Sequence, residues 1–456
     1  MNTRRGILWP GAVVGAVVLM AGACSGSAGG SESEGTGAGD CVRVVDEETG
    51  ETGKDCLPLA AESDRVDLSE PTFSHPTRIT NPLHPTAEVE QVVMGGQADD
   101  EVFRTEVSLL PGTKSIELDG RTVRALTQQY VAFADGRIHE VALDWYAQAD
   151  DGSVWYLGED VFNYEDGVVA DTEGTWQAGR DGAPAAMIMP ADPEKGDVYR
   201  PENLPGVVFE EVTVREAGRT VDGPYGKVEG AMTVRELHMD GSTEEKTFAP
   251  GYGEFSTGND GGDLEAVSLA VPTDARPGPL PRELAALDRA ARVVQDGEVT
   301  DADLSAVHDA WTAYRDSDAV PKLLDRQMTC DLDALDEAVG AKDEEAIPDA
   351  ALRVAQNTTD LRLRYEPVRA VDLDRFGMWA RQLGIDAQAG AEGAVAGDVT
   401  GLELVWERLK DDVPEAAAAA VTADLREARQ AADGRDMERA GQVAASLREN
   451  SANVAP

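Results

Sequence analysis

Residues 271–281 read VPTDARPGPLP, and the hydrophobic residues on the two sides of this proline-rich joint recur with different periods. Upstream, short apolar runs alternate with turns: ALTQQYVAF, DGR, IHEVALDWYAQ, ADDGS, VWYLGEDVFNY, EDG and VVADTEGTW follow one another. Each reversal carries Asp-Gly, which supplies the positive backbone angles a tight hairpin needs. Downstream the period becomes 3.6. Leu304, Val307, Trp311 and Tyr314 share a helical face behind a Thr300/Asp303 capping box, and Ala351, Val354, Thr358, Leu361 and Tyr365 repeat that spacing. The expected fold is therefore α+β in two domains. An antiparallel β-rich sandwich or partial barrel spans 81–271, a linker 272–281, and an all-helical bundle or short helical array 282–450. Within the helical half, Leu335, Ala338, Ala341 and Asp343 recur as Leu425, Ala428, Ala431 and Asp433, which reads as repeated packing geometry or as duplication.

Aromatic residues make up 5% of the chain, yet Trp145, Tyr146, Trp155, Tyr156 and Trp176 fall within one short stretch. In ALDWYAQ, strand alternation puts Leu143 and Trp145 on one face and Tyr146 on the other, and VWYLGED returns across ADDGS. A hairpin core explains the concentration, since paired aromatics contribute roughly 0.2–1 kcal/mol each. An aromatic-lined pocket for an apolar or sugar-like ligand is the alternative.

The first residues read as an address. Arg4 and Arg5 precede an apolar run from Gly6 to Met20, and Ala21-Gly22-Ala23 lead into Cys24. This run is short for a membrane span and ends in small residues, as a cleaved signal over 1–23 does. The ending resembles a bacterial lipobox, with Ala21 where Leu is commoner, and implies lipidation of Cys24. Acyl chains such as palmitate then hold the protein to a membrane at about 0.8 kcal/mol per buried methylene. An ordinary secretory signal is the alternative, and Thr3–Leu8 also resembles a twin-arginine export motif. Residues 24–40 are a Gly/Ser/acidic tether without core-forming residues. A leader over 41–80 follows, in which Cys41 and Cys56 bracket a turn-rich loop and are candidates for a disulfide. Cys330 is expected as a buried thiol in a helical region.

With 86 acidic and 40 basic residues the net charge is −46, which excludes a nucleic-acid partner. None of the five histidines sits in HExxH, Glu-x-x-His or Cys-x-x-Cys-His, and neither a Gly-x-Ser-x-Gly elbow nor a P-loop is present. His308 is expected at the edge of a helix core. GNDGGDLE at 258–265 reads first as a turn and second as a calcium loop. Asp372, Asp374, Arg375, Arg381 and Asp386 read as a solvated helix face with weak ion pairs. No cofactor and no metal are expected.

Three segments carry a resemblance: DWYAQADDGSVWYLGED, EGTWQAGRDGAPAAMIMPADPEKGDVYR and KTFAPGYGEF. They resemble a family of uncharacterised bacterial secreted proteins and lipoproteins with DWYAQD-, GDxYRQE- and YAPGxGLV-type motifs, over residues 80–270. The chain departs from that pattern at Pro201 and at Glu254-Phe255. The resemblance implies a domain and no chemistry. The resulting expectation is a membrane-anchored, extracytoplasmic lipoprotein acting as a binding or scaffold module at the cell envelope. Its partners would be the lipid bilayer, through the anchor, and an envelope protein or small molecule. An envelope-acting enzyme using carboxylate acid/base chemistry and a structural spacer are the alternatives.

Overall fold

The structure is a computed structural model that describes residues 41–452, except 46–49, 99–100, 259–263, 297–298 and 318. Cys24, the expected lipidation residue, and the centre of the 258–265 loop lie outside the described residues. The leader opens with a hairpin of β1 (Arg43–Val45) and β2 (Thr52–Cys56), joined by a Cys41–Cys56 disulfide. Val42, Val45 and Leu57 pack there against Phe209 and Met239.

The strands that follow are β3 (Gln91–Ala98), β4 (Glu101–Leu118), β5 (Arg121–Ala134), β6 (Arg137–Gln148), β7 (Val154–Glu165), β8 (Val168–Asp171) and β9 (Trp176–Gln177). After them come β10 (Ala186–Met189), β11 (Val198–Leu204), β12 (Val208–Gly223), β13 (Gly226–His238), β14 (Thr243–Ala249), β15 (Gly253–Gly258) and β16 (Leu264–Val271). They form one antiparallel sheet in the order β10-β7-β6-β5-β4-β3-β16-β15-β14-β13-β12-β11, with β8 and β9 on β7. Hairpin follows hairpin because the turns allow it: Asp119-Gly120, Asp135-Gly136 and Asp166-Gly167 carry positive φ at both residues, the type I′ geometry that matches strand twist. The sheet curls until its ends meet. Met189 of β10 and Tyr199 of β11 share a core with Tyr146, Tyr156, Met232 and Phe248 from the strands between. The β half is thus a partial barrel.

Val271-Pro272 is a cis peptide, and the helices follow from it. They are α1 (Arg282–Asp296), α2 (Asp301–Ser317), α3 (Lys322–Ala341), α4 (Ala346–Arg362), α5 (Val368–Ala389), α6 (Glu392–Leu409), α7 (Glu415–Asp433) and α8 (Met437–Ala452). Thr300 and Asp303 exchange hydrogen bonds at the start of α2, where the side-chain spacing places a capping box. The α1–α4 helices bury one apolar cluster around Leu287, Trp311, Leu335 and Leu361, and α5–α8 bury another around Phe376, Leu402, Leu425 and Leu447. The Leu/Ala echo is out of step with the helix endings: Asp343 lies beyond the end of α3, whereas Asp433 is still the last residue of α7, although the two helices end alike. Asp343 N donates to Ala338 O beside left-handed Lys342, and Asp436 N donates to Ala431 O beside left-handed Arg435.

Two expectations are corrected in the helical half. Cys330 is exposed, because the apolar face of α3 runs through Leu324, Met328, Leu332 and Leu335 and the cysteine falls off it. The acidic and basic residues of α5 are not a solvated face. Asp372, Arg375 and Asp386 are buried, since that side of the helix lies against the outer face of the sheet. Arg375 binds Asp360 at 2.8 Å, Asp372 at 2.9 Å and Glu106 of β4 at 3.3 Å, and donates to Gln91 Oε1 at 2.5 Å. Arg104 and Arg408 each reach Glu106 at 2.8 Å. Burial by itself would raise the Glu106 carboxyl, but Arg375, Arg104 and Arg408 hold it far below its usual range. Elsewhere the halves touch backbone to backbone: a Cβ on Gly393 would stand 2.0 Å from Asp166 O. The two halves are therefore docked by polar complementarity and close contact.

Candidate functional site

All five aromatics are buried, and three of them pack ring against ring. Tyr146 pairs with Tyr156 across β6 and β7, their rings stacked at 4.8 Å, and Trp176 meets Tyr156 edge-on at 5.3 Å. Trp145 points to the other side of the sheet, under Lys114, whose ammonium lies 4.0 Å from the ring centre. Trp155 is buried with its indole N–H donated to Ser153 Oγ, and one edge reaches an open cleft described below.

Inside the barrel the inward positions carry carboxyl groups where apolar residues would be ordinary. Glu140 and Asp144 project from β6, Glu159 from β7, Glu202 from β11, Glu210 from β12, Glu236 from β13, Glu244 from β14 and Glu265 from β16, all buried. Among the described residues the bases inside are Lys246 and His238. So many carboxyls and so few cations cannot all ionise. Burial, with Asp144 and Glu265 nearby, pushes Glu140 up to about 8. Burial raises Asp144 to about 7 against the hydrogen bonds of Tyr156 and Tyr146, and burial plus Glu254 raises Glu265 to about 8. Glu159 and Glu202, hydrogen-bonded to each other across the barrel, are raised further by burial and mutual repulsion. Burial works against the charge on Lys246, but Glu236, Glu254, Glu210 and Glu244 hold that ammonium protonated well beyond its ordinary range.

A cavity of about 80 Å³ lies among Tyr130, Asp144, Tyr146, Glu254 and Glu265, capped by His84. Burial lowers His84 to about 4, so it closes the cavity as a neutral ring with Nδ1 2.8 Å from Thr86 Oγ1. A space of that size holds a few waters at roughly 30 Å³ each and falls short of the roughly 300 Å³ that ligand pockets occupy.

The large concavity is elsewhere. A cleft of about 1150 Å³ runs between the leader, from Arg65 to Arg78, and the outer wall made by the β4–β5 hairpin, Trp155, the 179–186 loop and Arg200. Five arginines line it, Arg65, Arg78, Arg121, Arg124 and Arg200, against Asp67, Glu70 and Asp119. Two are already held, Arg65 by Asp67 at 2.8 Å and Arg200 by Glu211 at 2.9 Å. Arg78, Arg121 and Arg124 are exposed and make no ion pair among the described residues, although Arg124 donates to Thr113 Oγ1 at 3.0 Å. In a chain of net charge −46, the cleft inverts the local sign. The leader wall is fixed where Ile79 and Asn81 bury and Gln148 accepts from the Thr80 and Asn81 amides.

Sequence reading named neither the carboxyl-lined interior nor the arginine cleft. Interior acids were legible as Glu236 sharing strand parity with Val234 and Met232. The cleft had no linear signal, because Arg78, Arg121 and Arg200 come from distant segments. His308, by contrast, sits where its helix stripe placed it, 3.1 Å from Asp336. No family model, no curated protein and no solved structure matches this chain.

Proposed function

We propose that this chain is a lipid-anchored, outward-facing binding module that takes an anionic ligand in the arginine cleft. The observation that supports it is the trio Arg78, Arg121 and Arg124, three guanidinium groups without a carboxylate partner among the described residues of a strongly acidic protein. Planar guanidinium forks match carboxylate and phosphate oxygens, and Phe73 and Trp155 add apolar contact for a carbon skeleton. The Gly/Ser/acidic tether after Cys24 would hold the cleft clear of the bilayer surface. No helix among the described residues is long and apolar enough to cross a membrane. The carboxylate-enzyme alternative is weaker, because the raised carboxyls Asp144 and Glu265 line a cavity of only about 80 Å³ and not the cleft where a substrate could sit.

Calorimetric titration with a uronic-acid trisaccharide and with a glycerol-phosphate trimer tests the cleft. One of the two is expected to bind saturably, and Arg78→Ser combined with Arg121→Ser should weaken it about 10-fold or more, at roughly 1.5–3 kcal/mol per charged hydrogen bond. No heat from either probe at millimolar concentration would sink the assignment. Separately, the mature protein should incorporate labelled palmitate, and Cys24→Ser should move it out of the membrane fraction; an unlabelled wild type refutes the anchor.

A further inference from the structure

At the closed end of the β13–β14 hairpin the interior acids meet a histidine. Glu236 pairs with Glu244 across the hairpin, and His238 pairs with Glu210 on the neighbouring strand, so the four side chains point into one corner of the barrel. One ligating atom from each of Glu236, His238 and Glu244 can be chosen such that all lie within 4.8 Å of one another. His238 Nε2 stands 3.6 Å from Glu244 Oε2, too far for a hydrogen bond. Both atoms are buried and have no hydrogen-bond partner. Buried polar atoms in that condition are costly, and native interiors seldom tolerate them without a ligand, ion or water.

We propose that Glu236, His238 and Glu244 form a site for a divalent transition-metal cation of the zinc type. Zinc takes nitrogen and carboxylate oxygen at about 2.0–2.2 Å, and tetrahedral bonds of that length put neighbouring ligand atoms about 3.3–3.6 Å apart. The separation of His238 Nε2 and Glu244 Oε2 falls in that range, and without a metal the same atoms, with Glu210 on the other ring nitrogen, form the ion pairs of a protonated imidazole. On the far side of the ring, Glu210 Oε1 faces His238 Nδ1 at 3.4 Å, the carboxylate–histidine arrangement that orients a metal-bound imidazole through its other nitrogen. Glu236 is shared: Lys246 Nζ lies 2.5 Å from its Oε2. A dication would also offset part of the negative charge that the barrel otherwise masks by holding protons. Of the three ligands, His238 retains the most exposure, at 11% of its side chain against 4% and 3% for Glu236 and Glu244, and gives the ion its way in.

The site is separate from the arginine cleft, so its test does not depend on ligand binding there. The full mature protein is stripped with chelator and titrated with zinc in 0.15 M salt and millimolar magnesium, which saturates the outer acids. One equivalent is expected to bind tightly, and cobalt in its place should give the visible absorption of a four-coordinate nitrogen/oxygen site. His238→Gln and Glu244→Gln should each abolish that equivalent. Glu210→Gln, outside the direct ligands, should weaken zinc by roughly 10–100-fold while leaving the stoichiometry at one. Far-ultraviolet circular dichroism establishes that each variant is folded, and Glu210→Gln keeps the test decisive if a ligand variant is not. A wild-type protein that binds no zinc beyond the outer-surface background, or variants that bind it as tightly as the wild type, would overturn the proposal.

Discussion

Arg375→Ala is expected to cost about 3–5 kcal/mol of stability, the range for removing one partner from a buried charge network. The arithmetic of the interface explains the size. Arg104, Arg375 and Arg408 face Glu106, Asp360 and Asp372, three charges against three, on side chains at most 11% exposed. Deleting Arg375 leaves three carboxylates to two guanidinium groups in a place water scarcely reaches. Its hydrogen bonds to Gln91, Asp360 and Asp372 and its ion pair with Glu106 disappear together, and Gln91 Oε1 loses its donor. Because the network joins α4, α5 and α6 to β3 and β4, the loss should fall on docking more than on either core. Denaturant unfolding should then separate into two transitions, helices and barrel, where the wild type shows one. Arg375→Lys should recover only a fraction, since a single ammonium cannot span three acceptors set by a planar fork. Glu106→Gln combined with Arg375→Met, which restores the balance, should be less destabilised than the sum of its singles. A midpoint for Arg375→Ala within about 0.5 kcal/mol of wild type would mean that the contact is dispensable.

That interface marks where sequence reading stopped. The strand-turn-strand units from β4 to β8 were legible because their reversals carry Asp-Gly and their strands alternate, and helices were legible because Leu304, Val307, Trp311 and Tyr314 recur at 3.6. These are local signals, written within one element. The acidic and basic residues of α5 carry an equally local pattern that points the wrong way, since Asp and Arg on a helix are ordinarily solvated. What overrides it is Glu106, which supplies the complementary charge, and Gln91, which accepts from Arg375, both more than 250 residues earlier in the chain. A single element cannot announce its partner. Interior acids were hidden differently. Counted in bulk, the 86 acidic residues read as surface, and only strand parity distinguishes Glu236 or Glu265 from the rest. Tyr146, Tyr156 and Trp176 were visible as a cluster, while their orientation awaited the register that stacks the two tyrosines.

Glu265→Gln is expected to stabilise the chelator-treated protein at alkaline pH and to leave it nearly unchanged at pH 5. Glu265 faces Thr105, Glu254, Lys246 and Glu244, and burial beside Glu254 raises it from 4.5 to about 8. Glu140, facing Asp144 and Asp171, is likewise raised to about 8, and Asp144, held by Tyr156 and Tyr146, from 3.8 to about 7. A carboxyl raised in the fold keeps a proton that the unfolded chain releases. Its contribution is whole below about pH 4 and is lost as pH climbs through 7 and 8, at about 1.4 kcal/mol per pH unit for each group. On the acid side the signs reverse. Glu106, depressed by its three arginines, stabilises only while ionised, and buried His84, lowered to about 4, resists the proton that the unfolded chain accepts near 6.5. Stability should therefore be greatest near about pH 4–5, where the carboxyls of the unfolded chain begin to ionise, and fall by several kcal/mol toward pH 9. Glutamine at 265 keeps the shape, accepts from Thr105 as the acid does, and has no proton to lose. It should flatten the alkaline limb by on the order of 2–4 kcal/mol at pH 9, measured by urea unfolding in chelator across the pH range. Parallel curves for the two proteins up to pH 9 would show that Glu265 is ionised within the folded barrel, and a barrel able to hold it so must neutralise it with a cation other than its own protons.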